Sequence, residues 1–263
     1  MSYQDIKLEI DERQVATITL DRPQKHNAIG TRMMQELRAA CVDLNANREV
    51  RAVILTGAGD RSFSAGADLG WMKANFDKNR EDRIQESSLL ADMLEALNTL
   101  NKITIARING QAYAGAVGLI CVCDIAISVN TARFSMTETR LGLTPANISP
   151  YVIERLGVSN ARRVLLNAHF FEADEAVRLG LVHKSVNPGD LDQAVESEIS
   201  SCLACAPGAI AMTKELIRTV SRQTAEENRE YTAQMLADAW ETDEAQAGIG
   251  GFFNKQPPPW NQG

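Results

Sequence analysis

Apolar residues recur along this chain in two alternating rhythms. Val15 to Leu20, Ala52 to Leu55, Ile103 to Ile108 and Asp124 to Val129 are short β-branched runs bounded by Gly, Asp or Asn, and each predicts a strand. The N-terminal MSYQDIKLEI alternates in the same way. Between the strands, Met34, Leu37, Cys41 and Leu44 recur at helical spacing, as do Leu90, Met93, Leu94 and Leu97, so each segment should bury one helical face. The rhythm is strand, strand, helix. After His183 it turns helical, with Leu191 to Cys205, Pro207 to Val220 and Ala225 to Trp240 reading as helices and no further strand evident. Pro207 suits a first helical turn, and Met212, Leu216, Ile217 and Val220 give that helix an apolar stripe. Such a helical appendage marks an assembly surface, because stripes on several sides need partners to cover them.

With 263 residues and no linker before a tail carrying Pro257, Pro258 and Pro259, the chain reads as one compact α/β body with an appendage. Lys and Arg total 27 against 34 Asp and Glu, a formal charge of −7, which argues against nucleic acid or an anionic membrane as the main partner. The longest apolar run, Ala112 to Cys123, is short of the roughly 18 to 20 residues that span a bilayer. The N-terminus shows no basic region followed by an apolar run, so a cytoplasmic chain is expected. The cysteines (Cys41, Cys121, Cys123, Cys202 and Cys205) are odd in number, and the one CxxC lacks a second pair, so reduced, buried thiols are expected. His26, His169 and His183 are scattered without ligand spacing, and no metal site is expected.

The chemistry concentrates in small-residue loops. Thr56 to Leu69 contains Ser64-Ala65-Gly66-Ala67-Asp68 after a buried strand and leads into a helix start. Residues without bulky side chains let a backbone approach a ligand with its N–H groups free, although a tight turn in a surface loop would use the same residues. Asn109 to Gly118 repeats the pattern, with close helix packing as its structural alternative. If both loops aim N–H groups into one cavity, they form a hole for an oxygen that becomes negative during reaction, each donor worth roughly 3 kcal/mol. Glu138, in Phe134-Ser135-Met136-Thr137-Glu138, is the candidate proton shuttle, provided burial moves its pKa toward neutrality; a solvated Glu or an Arg140 partner is the plainer reading. Trp71 and Met72 are either plain core or the wall of a pocket.

These loops, with Arg22 to Ala28, Cys123-Asp124, Phe134 to Pro145, Ala173 to Ala176 and Gly180-Leu181-Val182 in the same order, resemble the crotonase superfamily of enoyl-CoA hydratases and isomerases. The resemblance implies a spiral of β-β-α units over residues 1–200 holding the acyl-CoA site. It also implies a helical C-terminal region over residues 201–263 for trimerisation, in a trimer or a dimer of trimers. By the same resemblance, Ala67 and Gly115 supply the oxyanion N–H groups and Glu138 the catalytic carboxylate. Ala65 lies where the family recognises adenine, and Lys25 and Lys255 lie where it holds the CoA phosphates. Asp68, Leu69, Trp71 and Gly118 fall in the substrate-binding stretch. No separate cofactor is implied, since coenzyme A enters with the substrate.

The chain departs from a typical hydratase at Gly118, where the family carries a second catalytic glutamate, and at Ala146-Asn147-Ile148-Ser149-Pro150, where a Gly-rich turn is usual. Gly118, Ser64 to Lys73 and Ser149 to Val152 together resemble the methylglutaconyl-CoA hydratase branch, which handles branched acids of leucine or terpenoid breakdown. The expected activity is hydration of a branched enoyl-CoA, with space for the branch beside Gly118. Double-bond isomerisation, and a non-catalytic CoA-thioester-binding or RNA-binding role, stand as alternatives.

Overall fold

The computed structural model describes residues 3–261. Strands β1 (Ile6–Ile10) and β2 (Val15–Leu20) pair antiparallel, and α1 (Thr31–Ala46) follows a short 3-10 turn. Met33, Met34, Leu37, Cys41 and Leu44 form the buried face of α1, as their spacing requires. The chain then repeats a unit of two strands and helix: β3 (Ala52–Gly57), β4 (Ser62–Ser64), α2 (Leu69–Phe76) and α3 (Arg80–Asn98), then β5 (Ile103–Ile108), β6 (Gln111–Tyr113) and α4 (Gly115–Cys121). The third turn is β7 (Ile125–Val129), β8 (Arg133–Ser135) and α5 (Ser149–Asn167). Each turn contributes its first strand to one sheet and its second to another.

After β9 (Phe171–Glu172) and α6 (Ala173–Leu179), β10 (Lys184–Val186) closes the larger sheet, whose order is β1-β2-β3-β5-β7-β10; the smaller runs β4-β6-β8-β9. From β2 to β10 the larger sheet is parallel, and its inner strands β3, β5 and β7 are mostly buried along their length. β10 corrects the expectation of no strand after His183. Its Lys-Ser-Val is too short to show a period, and only parallel pairing with Ile127 to Val129 makes it a strand. β4 and β6 likewise lie inside segments that read as loops, because three residues rich in Ser, Gln and Ala carry no alternation.

The C-terminal helices are α7 (Leu191–Leu203), α8 (Pro207–Val220), α9 (Ala225–Trp240) and α10 (Asp243–Asn254). The last was not legible as a helix, since Gly248, Gly250 and Gly251 dilute its pattern; Thr242 caps it by accepting the Ala245 N–H. Lys214 fastens α8 to the sheet, its buried Nζ donating to Asp124 Oδ2 at 2.6 Å and to Lys102 O at 2.8 Å. All five cysteines are free thiols; Cys205 is exposed, contrary to expectation, because it lies past the end of α7. Among the described residues no helix is long and apolar enough to cross a membrane.

Candidate active site

The first loop leaves β4 at Ser64, whose buried hydroxyl donates to Asn27 O at 2.7 Å and accepts the Gly66 N–H at 3.2 Å. Ile29 brackets the next residues, donating its N–H to Gly66 O and accepting the Asp68 N–H. Successive N–H groups of extended chain point to opposite sides, so the Ala67 N–H between them turns away from Ile29. Asp68 then caps α2, its Oδ1 accepting the N–H groups of Gly70 at 2.7 Å and Trp71 at 3.1 Å.

The second loop leaves β6 through Ala114, held at φ 50° and ψ −121° by an N–H donated to Ser135 O at 2.8 Å. That backbone is strained for a residue with a side chain. Gly115 opens α4, so its N–H has no intrahelical acceptor. The loops meet at Gly66, where φ is +82° and an added Cβ would stand 2.4 Å from Tyr113 O. Only glycine permits this approach, and it is what brings Ala67 and Gly115 to one cavity.

That cavity has a volume of about 480 Å³. Ala65, Ala67, Leu69, Trp71, Gly115 and Glu138 all line it, together with Met72, Leu90, Leu143 and Ile148. Glu138 starts the 3-10 turn that follows β8 and is the cavity's one ionisable side chain among the described residues. Its Oε2 is buried with no hydrogen-bond partner there, and burial pushes its pKa above the usual carboxylate range. Arg140 does not neutralise it; the guanidinium stacks over the Phe170 ring, 5.0 Å from its centroid.

Asp68 is the opposite case. Arg22 Nη2 lies 2.8 Å and Lys25 Nζ 3.4 Å from Oδ2. Burial pushes this carboxyl up, but the Trp71 and Gly70 N–H groups and Arg22 outweigh it and hold the pKa below normal. Asp68 does not line the cavity, and its oxygens are occupied in building the loop. At Gly118 the structure corrects the expectation of open space. The glycine is buried inside α4, and a Cβ there would meet Ile148 Cγ2 at 2.4 Å, so Ile148 fills the space expected for a substrate branch. Lys25 and Lys255 also lie outside the lining, Lys25 beside Asp68 and Lys255 as the exposed cap of α10.

Sequence reasoning missed Glu86, which holds the cavity wall. Its Oε2 accepts Trp71 Nε1 at 2.9 Å and Thr31 Oγ1 at 2.9 Å, and its Oε1 accepts Lys78 Nζ at 2.7 Å. The Lys78 hydrogen bond leads in holding this carboxyl below its usual range. An acidic residue on a charged helix gives no such signal in sequence. Asn147 and Ile148 were visible only as a departure from a Gly-rich turn.

This arrangement agrees with what comparison of the whole chain shows. Residues 11–263 match the family model described as enoyl-CoA hydratase/isomerase. The chain belongs to the enoyl-CoA hydratase/isomerase family. Among its relatives is the short-chain-enoyl-CoA hydratase of Clostridium acetobutylicum, 30% identical over 257 residues that cover 97% of each chain. Among solved structures, an enoyl-CoA hydratase from Shewanella pealeana is 33% identical with a TM-score of 0.94, covering 98% of this chain and 97% of that one. Pseudomonas aeruginosa AtuE is 35% identical with a TM-score of 0.94, covering 98% of this chain and 100% of its own. The two-sheet α/β spiral is thus the crotonase fold, and this family member is an enzyme of acyl-CoA chemistry.

Proposed function

We propose that this enzyme adds water across the C2=C3 bond of a branched, methylglutaconyl-CoA-like enoyl thioester, using one glutamate and two backbone donors. The observation that carries the reading is Glu138 Oε2, buried and unpartnered in the cavity lined by Ala67 and Gly115. In this reaction Glu138 takes a proton from water as the oxygen bonds to C3. The C2=C3 pair moves toward the thioester, and its oxygen gains the charge that the Ala67 and Gly115 N–H groups stabilise. Glu138 then returns the proton to C2, so one carboxyl serves as base and acid in turn. An apolar wall of Trp71, Leu90, Leu143 and Ile148 suits a branched acyl group, and the motifs at 64–73 and 149–152 support the branch assignment.

Coenzyme A enters as part of the substrate, with Ala65 beside its adenine and Lys25 and Lys255 toward its phosphates. The assembly in this reading is a trimer or a dimer of trimers. Ile217, Leu236, Trp240, Phe252 and Phe253 support it, as large apolar side chains exposed on the C-terminal helices. Free, mostly buried thiols suit a cytoplasmic location. Double-bond isomerisation is favoured by the same single carboxylate, since it needs only one shuttle. Incubation with straight, branched and carboxylated enoyl-CoA esters, read by mass spectrometry, separates the two: hydration adds water and isomerisation leaves the mass unchanged. Hydration of straight crotonyl-CoA in preference to every branched ester would overturn the branch assignment.

A further inference from the structure

The cavity has a second polar cluster, on the wall formed by α3 and the segment before α5. Ser87, Leu90 and Leu94 follow one another at spacings of three and four on α3, which places them on one helical face. Ser87 and Leu90 line the cavity, while Leu94 Cδ2 lies 3.5 Å from where a Gly118 Cβ would stand. At about 1.5 Å rise per residue, Ser87 sits roughly 10 Å along the helix from Leu94, and it shares the cavity with Glu138.

Asn147 crosses to Ser87 and donates from Nδ2 to its carbonyl oxygen at 3.0 Å and its hydroxyl at 2.8 Å. A carbonyl can only accept, so the amide orientation is settled and the serine oxygen is held in place. Among the described residues the Ser87 hydroxyl proton has no acceptor of its own. Thr144, an exposed residue three before Asn147, also lines the cavity, and its hydroxyl makes no hydrogen bond to another described residue.

We propose that Ser87, positioned by Asn147 and joined by Thr144, binds an oxygen of a carboxylate at the far end of the acyl chain. This specificity role rests on the hydratase reading above. Neutral hydroxyls fit the task, since an O–H donated to a carboxylate oxygen makes a short, charge-assisted bond. A lysine or arginine at the same place would also stabilise ionised Glu138 and weaken it as a base. The substrate's own negative charge acts in the opposite sense and keeps Glu138 proton-seeking.

The test uses the full chain with two esters that differ by the terminal carboxylate, 3-methylglutaconyl-CoA and 3-methylcrotonyl-CoA. Wild-type enzyme should favour the carboxylated ester. Ser87→Ala keeps a good helix former and should lower kcat/KM for that ester by about tenfold to a hundredfold, the range for a hydrogen bond to a charged group. The uncharged ester should change by less than about twofold, and Ser87→Thr, which restores a hydroxyl, should recover much of the loss. Equal loss on both esters, or loss on neither, overturns the proposal. Wild-type preference for the uncharged ester overturns it as well but leaves hydration standing. Hydration of neither ester removes the functional reading and this inference with it.

Discussion

The floor and the wall of the candidate active-site cavity are built on different principles. The floor, at Ala65 and Ala67 and at Ala114 and Gly115, presents backbone. Small residues let the two loops touch at Gly66, and buried partners such as Ser64 and Asp68 hold them. The wall, from α2, α3 and the segment from Glu138 to Ile148, presents side chains, several largely in solvent: Leu69 is 81%, Leu141 61% and Leu143 57% exposed. Their carboxylates differ accordingly, Asp68 saturated with partners and Glu138 lacking one on Oε2. A floor of this kind suits a charge that is the same for every thioester, whereas a wall of side chains can change with the acyl group at little cost to the fold.

The largest effect should come from the wall's carboxylate. Glu138→Gln keeps shape but cannot carry a proton, so kcat should fall by roughly 10² to 10⁴ while circular dichroism stays unchanged. Because burial raises the folded-state pKa, the acid limb of wild-type kcat/KM should lie above the usual carboxylate range. The same shift has a stability consequence of definite sign. The folded state binds the proton more tightly than the unfolded one, so wild-type stability falls as pH rises from the unfolded to the folded pKa. The glutamine variant should therefore match or exceed wild-type thermal stability at neutral pH, and lose that advantage in acid. Full turnover in Glu138→Gln would remove the distinction between wall and floor carboxylates.

The floor is tested next by Gly115→Pro, which deletes the N–H and should cost about 10² to 10³ in rate; Gly115→Ala, which keeps it, should stay near wild type. An added Cβ at Gly115 meets nothing nearer than Ile29 Cδ1 at 3.7 Å, so the alanine control is sterically sound. If both variants work equally well, the backbone is not the donor.

Where floor meets wall, Gly118→Glu should overpack against Ile148 and destabilise by about 1–3 kcal/mol in denaturant titration. Gly118→Glu combined with Ile148→Ala should recover part of that loss. In the floor loops, Asp68→Ala removes a helix cap and the Arg22 ion pair, at a cost of about 1–2 kcal/mol. Its carboxyl pKa is lowered on folding, so its contribution holds above the unfolded carboxylate pKa and disappears as pH falls through the folded value. The smallest effect should be at Lys255, exposed beyond both regions. Lys255→Glu should weaken CoA-ester binding by under about 1 kcal/mol in calorimetry, and less at high salt because exposed charges are screened.

Strands β2, β3, β5 and β7 and the buried faces of α1 and α3 were legible in the sequence, because burying many apolar atoms imposes a period on the chain. The floor loops were legible for a related reason, since close backbone approach excludes large side chains and leaves a run of Gly, Ala and Ser. The short strands β4, β6 and β10 were not, as three residues cannot show a period and take their conformation from strands distant in sequence. The wall belongs to the same class. Nothing local links Trp71 to Glu86 and Thr31, Asn147 to Ser87, or Ile148 to Gly118, and only the spiral's return brings these pairs within contact. By itself the sequence determined where backbone must come close and which segments must be buried, because both leave local constraints on residue size and period. Tertiary structure alone decided that Asp68 is paired, that Glu138 Oε2 is not, and that Ile148 occupies the space beside Gly118, because those outcomes depend on neighbours far away along the chain.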